Sequence, residues 1–353
     1  MNRRQRPAEP PEPPSLLGRL INSVLRIAAA LVLIATLAVA VGWALCVRMP
    51  GSSHRGALPA LSAEQDALRV GLEADVRQLA GTIGARSPTH REGLAQAADY
   101  LVKRLRAIGY VPQREPYGYG DQRYENIIAE RVGGPLEAGV IVIGAHYDGE
   151  GDVPAANDNA SGVAALLALA ERFASRTPLI TVRFAFFAGE ENPCFGKACM
   201  GSLVHARASK AAGERLIGMI SLETIGWYDD AAGSQRYPQP LAALYPDRGD
   251  FIAFVGNLDS ASLVRMLIGD FRSHVAFPSQ GAALPEDVPG VGWSDHWAFW
   301  QVGCPAVMIT DTAPFRYPHY HRLTDTPDKL DYARMARVVD GLDGVLQRWA
   351  EGR

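Results

Sequence analysis

The sequence predicts an α/β fold, a single mixed, mostly parallel twisted sheet sandwiched by helices and preceded by one transmembrane helix. Three observations predict it. Short apolar runs alternate with amphipathic helical stretches from about residue 120 to the C-terminus. Polar and ionisable residues gather where the apolar runs end. A single uncharged stretch near the N-terminus, IAAALVLIATLAVAVGWALCV from Ile27 to Val47, is bracketed by Arg26 and Arg48.

The N-terminal stretch comes first in the chain. About 20 apolar residues are needed for a helix to cross a bilayer, and this run has that length. Arg3, Arg4, Arg6, Arg19 and Arg26 precede it, and positive charge is retained on the cytoplasmic side. The run is longer than the apolar part of a cleaved signal peptide. Leu45 stands before Cys46, where a lipoprotein signal would need a small residue. Residues 1–20, charged and Pro-rich, are expected as a disordered cytoplasmic tail, 21–48 as an uncleaved signal anchor, and 49–60, MPGSSHRGALPA, as a linker. Residues 61–353 then form one exported domain.

Within that domain, helical periodicity runs from about Ser62 to Leu79 and from Glu92 to Ile108, where Gly109 supplies a stop. NIIAERV and GVIVIGAHY read as strands, and SGVAALLALAERFA as a helix with an Ala/Leu face. LITVRFAFFAGE, LIGMISLETIG, FIAFVG and PAVMIT read as further strands. SASLVRMLIGDF and the stretch from Pro327 to Trp349 read as helices. Such alternation argues for a largely parallel sheet covered on both faces. Tyr228–Gly249 and Pro278–Gly292 are long and irregular, as substrate-binding loops tend to be.

Composition excludes some functions. The formal net charge is -3, and no Lys/Arg-rich face stands out after residue 60, so nucleic acid is not an expected partner. Four cysteines do not make a disulfide framework. Cys194 and Cys199 lie close enough to pair in an exported domain, or to remain two thiols in a loop.

Ligands of open α/β sheets bind beyond the carboxyl ends of strands. There the sequence places His146-Tyr147-Asp148, Glu190-Glu191 and Glu223, with Asp158 just before a helix and His319 and His321 after the last strand. Taken singly, Asp158 is an ordinary helix cap and paired glutamates are ordinary surface. Together, two imidazoles and several carboxylates are the donors zinc takes in catalytic sites. With His146 and His321 neutral, Asp158, Glu191, Glu223 and one bridging hydroxide balance two divalent ions. Glu190, left over beside a ligand, is placed as the general base. His319 is not expected to bind metal, because a spacing of two lets only one of the pair face the ions.

These segments resemble the co-catalytic two-zinc aminopeptidases, a family that includes glutamate carboxypeptidases and, more distantly, glutaminyl cyclases. The resemblance runs from about residue 70 to the C-terminus. GAHYD resembles the first ligand segment, which implies His146 on zinc with Asp148 orienting it. ANDNASGVAALLALA implies Asp158 as the bridging carboxylate. FAFFAGEEN implies Glu190 as base and Glu191 as ligand. SLETIG puts Glu223 where the family often has Asp, and YHRLTDTPDKL implies His321 as the last ligand. Arg322 stands where a small residue is usual. GWSDHWAFWQVGCPAVMIT implies Asp295 and His296 along the cleft, although a capping Asp295 and a packed His296 read equally well. The implied function is a membrane-anchored aminopeptidase acting on peptides with two zinc ions, cobalt or manganese also suiting such donors. A carboxypeptidase or dipeptidase, with Arg316, Arg322 or Arg183 gripping a carboxylate, is the alternative, beside a cyclase-like metalloenzyme or a metal-free receptor on the same fold. Oligomeric state is not legible.

Overall fold

The computed structural model describes residues 15–134 and 139–353. Most of the expected N-terminal tail lies outside the described residues. The chain divides into two compact units that meet between Leu45 and Cys46.

Among the described residues, the first unit is one helix, α1 (Leu16–Cys46), whose last residue belongs to the second unit. It begins ahead of the boundary expected at residue 21. Ser15 Oγ accepts a hydrogen bond from Gly18 N at 3.2 Å, which satisfies one of the unpaired amides of the first turn. Leu16, Leu17, Leu20 and Ile21 then continue the helix with exposed apolar side chains. Its apolar stretch, Leu16–Ala44, has 29 residues, or about 43 Å at ~1.5 Å per residue, more than the ~30 Å of a hydrocarbon core.

The second unit is built on one sheet of eight strands. In chain order these are β1 (Gln113–Tyr119), β2 (Gln122–Arg131), β3 (Val140–His146), β4 (Thr181–Phe187), β5 (Leu216–Glu223), β6 (Ile252–Gly256), β7 (Ser279–Ala283) and β8 (Ala306–Thr310). Their spatial order is β1-β2-β4-β3-β5-β8-β6-β7. The middle four, β4, β3, β5 and β8, are mutually parallel, while β2 and β6 meet them antiparallel. Every residue of β3, β4 and β8 is buried. This is why those strands read as continuous apolar runs without alternation.

Helices cover both faces: α2 (Ala63–Val76), α3 (Arg91–Ala107), α4 (Gly162–Phe173), α5 (Gly201–Ala211), α6 (Ala261–His274), the short α7 (His296–Trp300) and α8 (Ala313–Arg316), and α9 (Tyr332–Ala350). α2 starts on a capping box in which Ser62 Oγ accepts from Gln65 N and the Gln65 side chain accepts from Ser62 N. α2, α4 and α9 pack their Leu, Val and Met side chains into the larger core with Ile141, Ile143 and Phe184.

β1, α5, β7 and the short helices α7 and α8 were not read from the sequence. β1 is a half-exposed hairpin partner of β2, and α5 opens on glycine. β7, within the stretch expected to be irregular, is Ser-Gln-Gly-Ala-Ala and lacks β-branched residues. Its parallel pairing with β6 holds it extended.

Residues 49–60, expected as a linker, lie on the domain. Met49 is buried, Arg272 Nη1 donates to Pro50 O at 3.1 Å, and Ser279 N donates to Ser53 Oγ at 2.9 Å. Arg337 donates to Pro59 O. Cys194 and Cys199 form a disulfide.

Candidate metal centre

The four parallel strands end along one edge, and the chemistry collects there. His146 is the last residue of β3, and Glu223 the last of β5. Glu190 and Glu191 follow β4 after Gly189, whose φ of +68° bends the chain sharply. That conformation is open to glycine at little cost, and an added Cβ would lie 2.8 Å from Cys199 O. Asp158 precedes α4, and His321 lies in the loop after α8.

Asp158 stands between the two histidines. Its Oδ1 is 3.4 Å from His146 Nε2, and its Oδ2 is 3.0 Å from His321 Nε2. Each histidine also meets a glutamate: Glu223 Oε2 lies 3.2 Å from His146 Nε2, and Glu191 Oε1 lies 3.4 Å from His321 Nε2. Glu190 Oε2 is 3.8 Å from His146 Nε2. All of these side chains are buried except that of His321, which is about a third exposed.

The donors fit metal ions better than they fit one another. Two ligands on a tetrahedral zinc, with bonds of about 2.1 Å, lie roughly 3.4 Å apart, close to the separations found. Burial raises the proton affinity of Glu190, and the neighbouring Glu191, Glu223 and Asp295 raise it further against the pull of His146. Glu191 is pushed up to about 8, by burial and then by Asp158. Glu223 is also raised by burial. Burial lowers the basicity of His146 and His321, but the surrounding carboxylates outweigh it; His321 reaches about 11. So many acids in one dry site cannot all ionise beside neutral imidazoles unless cations compensate them.

The remaining expected residues divide. Asp148 accepts from the backbone N–H groups of Glu190 and Glu191 at 3.3 and 3.2 Å, and its Oδ1 lies 3.5 Å from His146 Nδ1. It therefore positions the glutamate loop as well as the imidazole. Asp295 is buried, and burial pushes its carboxyl up to about 7. His296 is not along the cleft. It is fully buried, its Nε2 lies 2.7 Å from Val291 O, and its ring meets Trp300 edge-on. Burial holds its imidazole down at about 4. Arg316 is likewise placed elsewhere: it is buried over the Tyr228 and Phe251 rings, with Nη2 donating to Phe251 O at 2.9 Å. Arg183 is held by Glu130 and Glu214 beside His205. Arg322 is exposed next to His321. His319 turns away, its Nδ1 2.8 Å from Thr324 Oγ1.

Several residues to which the sequence analysis gave no role at the metal centre also serve it. Arg86 is fully buried and donates to five backbone carbonyls, those of Leu79, Gly84, Tyr147, Pro154 and Ala155. It thereby ties the loop after His146 to the loop before Asp158. Asp325 accepts from the N–H groups of Asn157 and Asp158 and from Tyr317 Oη. Ser294 Oγ donates to Glu223 Oε2 at 2.8 Å. Tyr320 stacks on His321, with ring centroids 3.9 Å apart.

Beside Glu223 a pocket opens that is mostly apolar. Tyr237, Tyr245, Phe251, Trp293, Met308 and Phe315 line it. The two irregular stretches noted in the sequence supply much of its wall.

The Peptidase family M28 model matches residues 126–344. The chain belongs to peptidase family M28. It is a metallopeptidase with the α/β architecture of the zinc aminopeptidases. The Escherichia coli protein YfbL is 41% identical over 285 residues, covering 78% of this chain and 86% of YfbL. A probable zinc metalloprotease of Pyricularia oryzae is 29% identical over 186 residues, 49% of this chain and 32% of that protein. Among solved structures, the aminopeptidase from Aneurinibacillus sp. strain AM-1 matches with a TM-score of 0.60 at 16% identity, over 81% of this chain and 95% of that one. At that identity it bears on the fold alone.

Proposed function

We propose that this M28 metallopeptidase is a membrane-anchored, two-zinc aminopeptidase that removes N-terminal residues from peptides. One observation carries the reading: the two oxygens of Asp158 face different histidines, and each histidine has its own glutamate. His146, Asp158 and Glu223 would hold one ion, and His321, Asp158 and Glu191 the other. A bound metal pair supplies an acidified water and a polarised scissile carbonyl.

The chain's own residues do the rest. Glu190 takes the proton of the attacking water and passes it to the leaving amine. Asp148 holds Glu190 in place through its backbone N–H and orients His146. Glu223, at the edge of the apolar pocket, is the partner for the substrate's free α-amine. For the carboxypeptidase alternative, Arg183 is held by Glu130 and Glu214 and Arg316 is buried with one hydrogen bond to Phe251 O, which leaves the exposed Arg322 as its candidate to grip a carboxylate.

The length and composition of α1 support a membrane anchor, and the arginines ahead of it support a cytoplasmic N-terminus with an exported domain.

Matched substrates test this. An acetyl cap removes the α-amine and its charge-assisted hydrogen bond to Glu223, a loss of about 1.5–3 kcal/mol, roughly ten- to a hundredfold in kcat/KM. Leucyl anilide should be hydrolysed, and acetyl-leucyl anilide should be nearly inert. Equal rates on the two would refute the aminopeptidase reading.

A further inference from the structure

The segment that follows the apolar helix is not a loose tether. Cys46 packs with Leu241 and Tyr245 on a small cluster formed by Ala282, Leu284 and Val291. Met49 is buried against Gly281, where an added Cβ would lie 2.7 Å from Met49 Cγ and 2.9 Å from Ile268 Cδ1. Arg272 clamps the strap to the edge strand. Its Nη1 donates to Pro50 O at 3.1 Å and its Nη2 to Ser279 O at 2.7 Å.

The same residues form the wall of the apolar pocket. Tyr245, Gly281, Ala282, Leu284 and Val291 all line it. Cys46 covalently follows Leu45, and the three residues from Cys46 to Met49 reach at most about 10 Å. The point at which the chain enters the domain therefore lies beside the pocket wall. Near the same wall, Leu244 and Trp293 are 45% and 47% exposed. One exposed apolar side chain is ordinary on a soluble surface. Here two lie close to one pocket, beside the point where the chain enters the domain, and Trp is favoured at the lipid–water boundary.

We propose that the strap from Cys46 to Ser53 holds the mouth of this pocket at the lipid surface, and that the substrates are polypeptides whose free N-termini are presented there. The inference rests on the anchored-aminopeptidase reading above. It adds a geometric selection: the enzyme acts on N-termini close to the bilayer and misses those held well above it.

The test uses the full chain in liposomes of phosphatidylcholine and phosphatidylglycerol. The probes are peptides with a free N-terminal Leu, anchored by a C-terminal lipid through Gly/Ser spacers of increasing length, together with soluble leucyl anilide. A second enzyme carries 20 Gly/Ser residues inserted between Leu45 and Cys46, which adds a reach of about 25 Å and leaves Cys46–Ser53 docked. The native chain should cleave the shortest-spaced peptides at least about tenfold faster than the inserted chain, by effective concentration. That advantage should vanish with long spacers, and leucyl anilide should be cleaved equally by both. The same spacer profile for both enzymes, with leucyl anilide cleaved equally, overturns the inference. Failure of both on leucyl anilide instead removes the aminopeptidase reading and the inference with it. An independent readout needs no insertion: a benzophenone side chain at Leu244 should crosslink to phospholipid, and one at Leu179, near the opposite strand ends, should not. Equal crosslinking at the two positions also overturns it.

Discussion

Replacing Arg86 by Met should destabilise the exported domain and loosen the metal centre together. The guanidinium is fully buried, donates to five carbonyls on separate segments, and is lowered to about 10 by burial. Met keeps much of the volume but none of the donors, so the carbonyls of Leu79, Gly84, Tyr147, Pro154 and Ala155 lose a partner. Each buried carbonyl left without a donor costs about 1–3 kcal/mol, and with partial relaxation of the loops the total comes to about 3–5 kcal/mol. The relief of desolvating the Arg keeps the total well below five separate bonds at ~1.5–3 kcal/mol each. A domain of about 300 residues unfolds with an entropy near 0.6 kcal/mol/K, so Tm should fall by roughly 5–8 °C. Calorimetry on the chelator-treated domain reads the structural loss. The same scan with zinc reads the second loss, since the loops carrying His146 and Asp158 are no longer tied together, and the zinc-induced rise in Tm should shrink. Arg86→Lys, with one ammonium in place of the planar fork, should fall between. A Tm within about 1 °C of the native protein's, with an unchanged zinc response, would refute the assignment of Arg86 as the tie between the two loops.

Other expected outcomes follow from the same structure. Glu190→Gln should retain zinc by elemental analysis while kcat falls by about 10²–10⁴-fold, whereas Glu191→Gln should lose zinc as well as activity. Retention of metal and activity by both would reverse the roles. Glu214 is held below the ordinary glutamate value of 4.5, chiefly by its hydrogen bond from Arg183. For Glu115, burial is outweighed by hydrogen bonds from His205 and Asn126. A lowered carboxyl contributes stability that is present above its unfolded value and lost as pH falls through its folded one. Glu214→Gln should therefore show a smaller drop in urea midpoint than the native domain on acidification below pH 4.5. An identical drop would remove Glu214 from the account. A reporter active only outside the cytoplasm, fused after Pro59, should be active; a cytoplasmic reporter active at that position would invert the topology.

How much of this was legible in the sequence depended on whether a residue's partners leave a trace in the chain. Strands β3, β4 and β8 are buried on both faces, so their apolar runs stand out, and the strand-end histidines and acids follow in known order. Arg86 is different, because its partners are backbone carbonyls that any residue carries. α5 begins at Gly201 because an added Cβ would strike the Asn126 side chain and Ala188 O, a constraint from distant segments that no local pattern announces. β7 owes its conformation to β6, and the strap from Met49 to Pro59 reads as a linker because Gly, Ser and Pro are also what lets a backbone lie close on a surface. His296 and Arg316 show the opposite error. Both are polar residues near the site, but their groups are turned inward to Val291 O and Phe251 O, and sequence position does not reveal side-chain direction.

The central claim is that Asp158 is shared by two metal ions. Elemental analysis of the exported domain, starting at Met49 and reconstituted with zinc, tests it most directly when the native protein is measured beside Asp158→Asn. Two zinc ions per native chain, and fewer in the variant, are the predicted result. A native stoichiometry of one or zero, or an Asp158→Asn protein that still holds two, would contradict it.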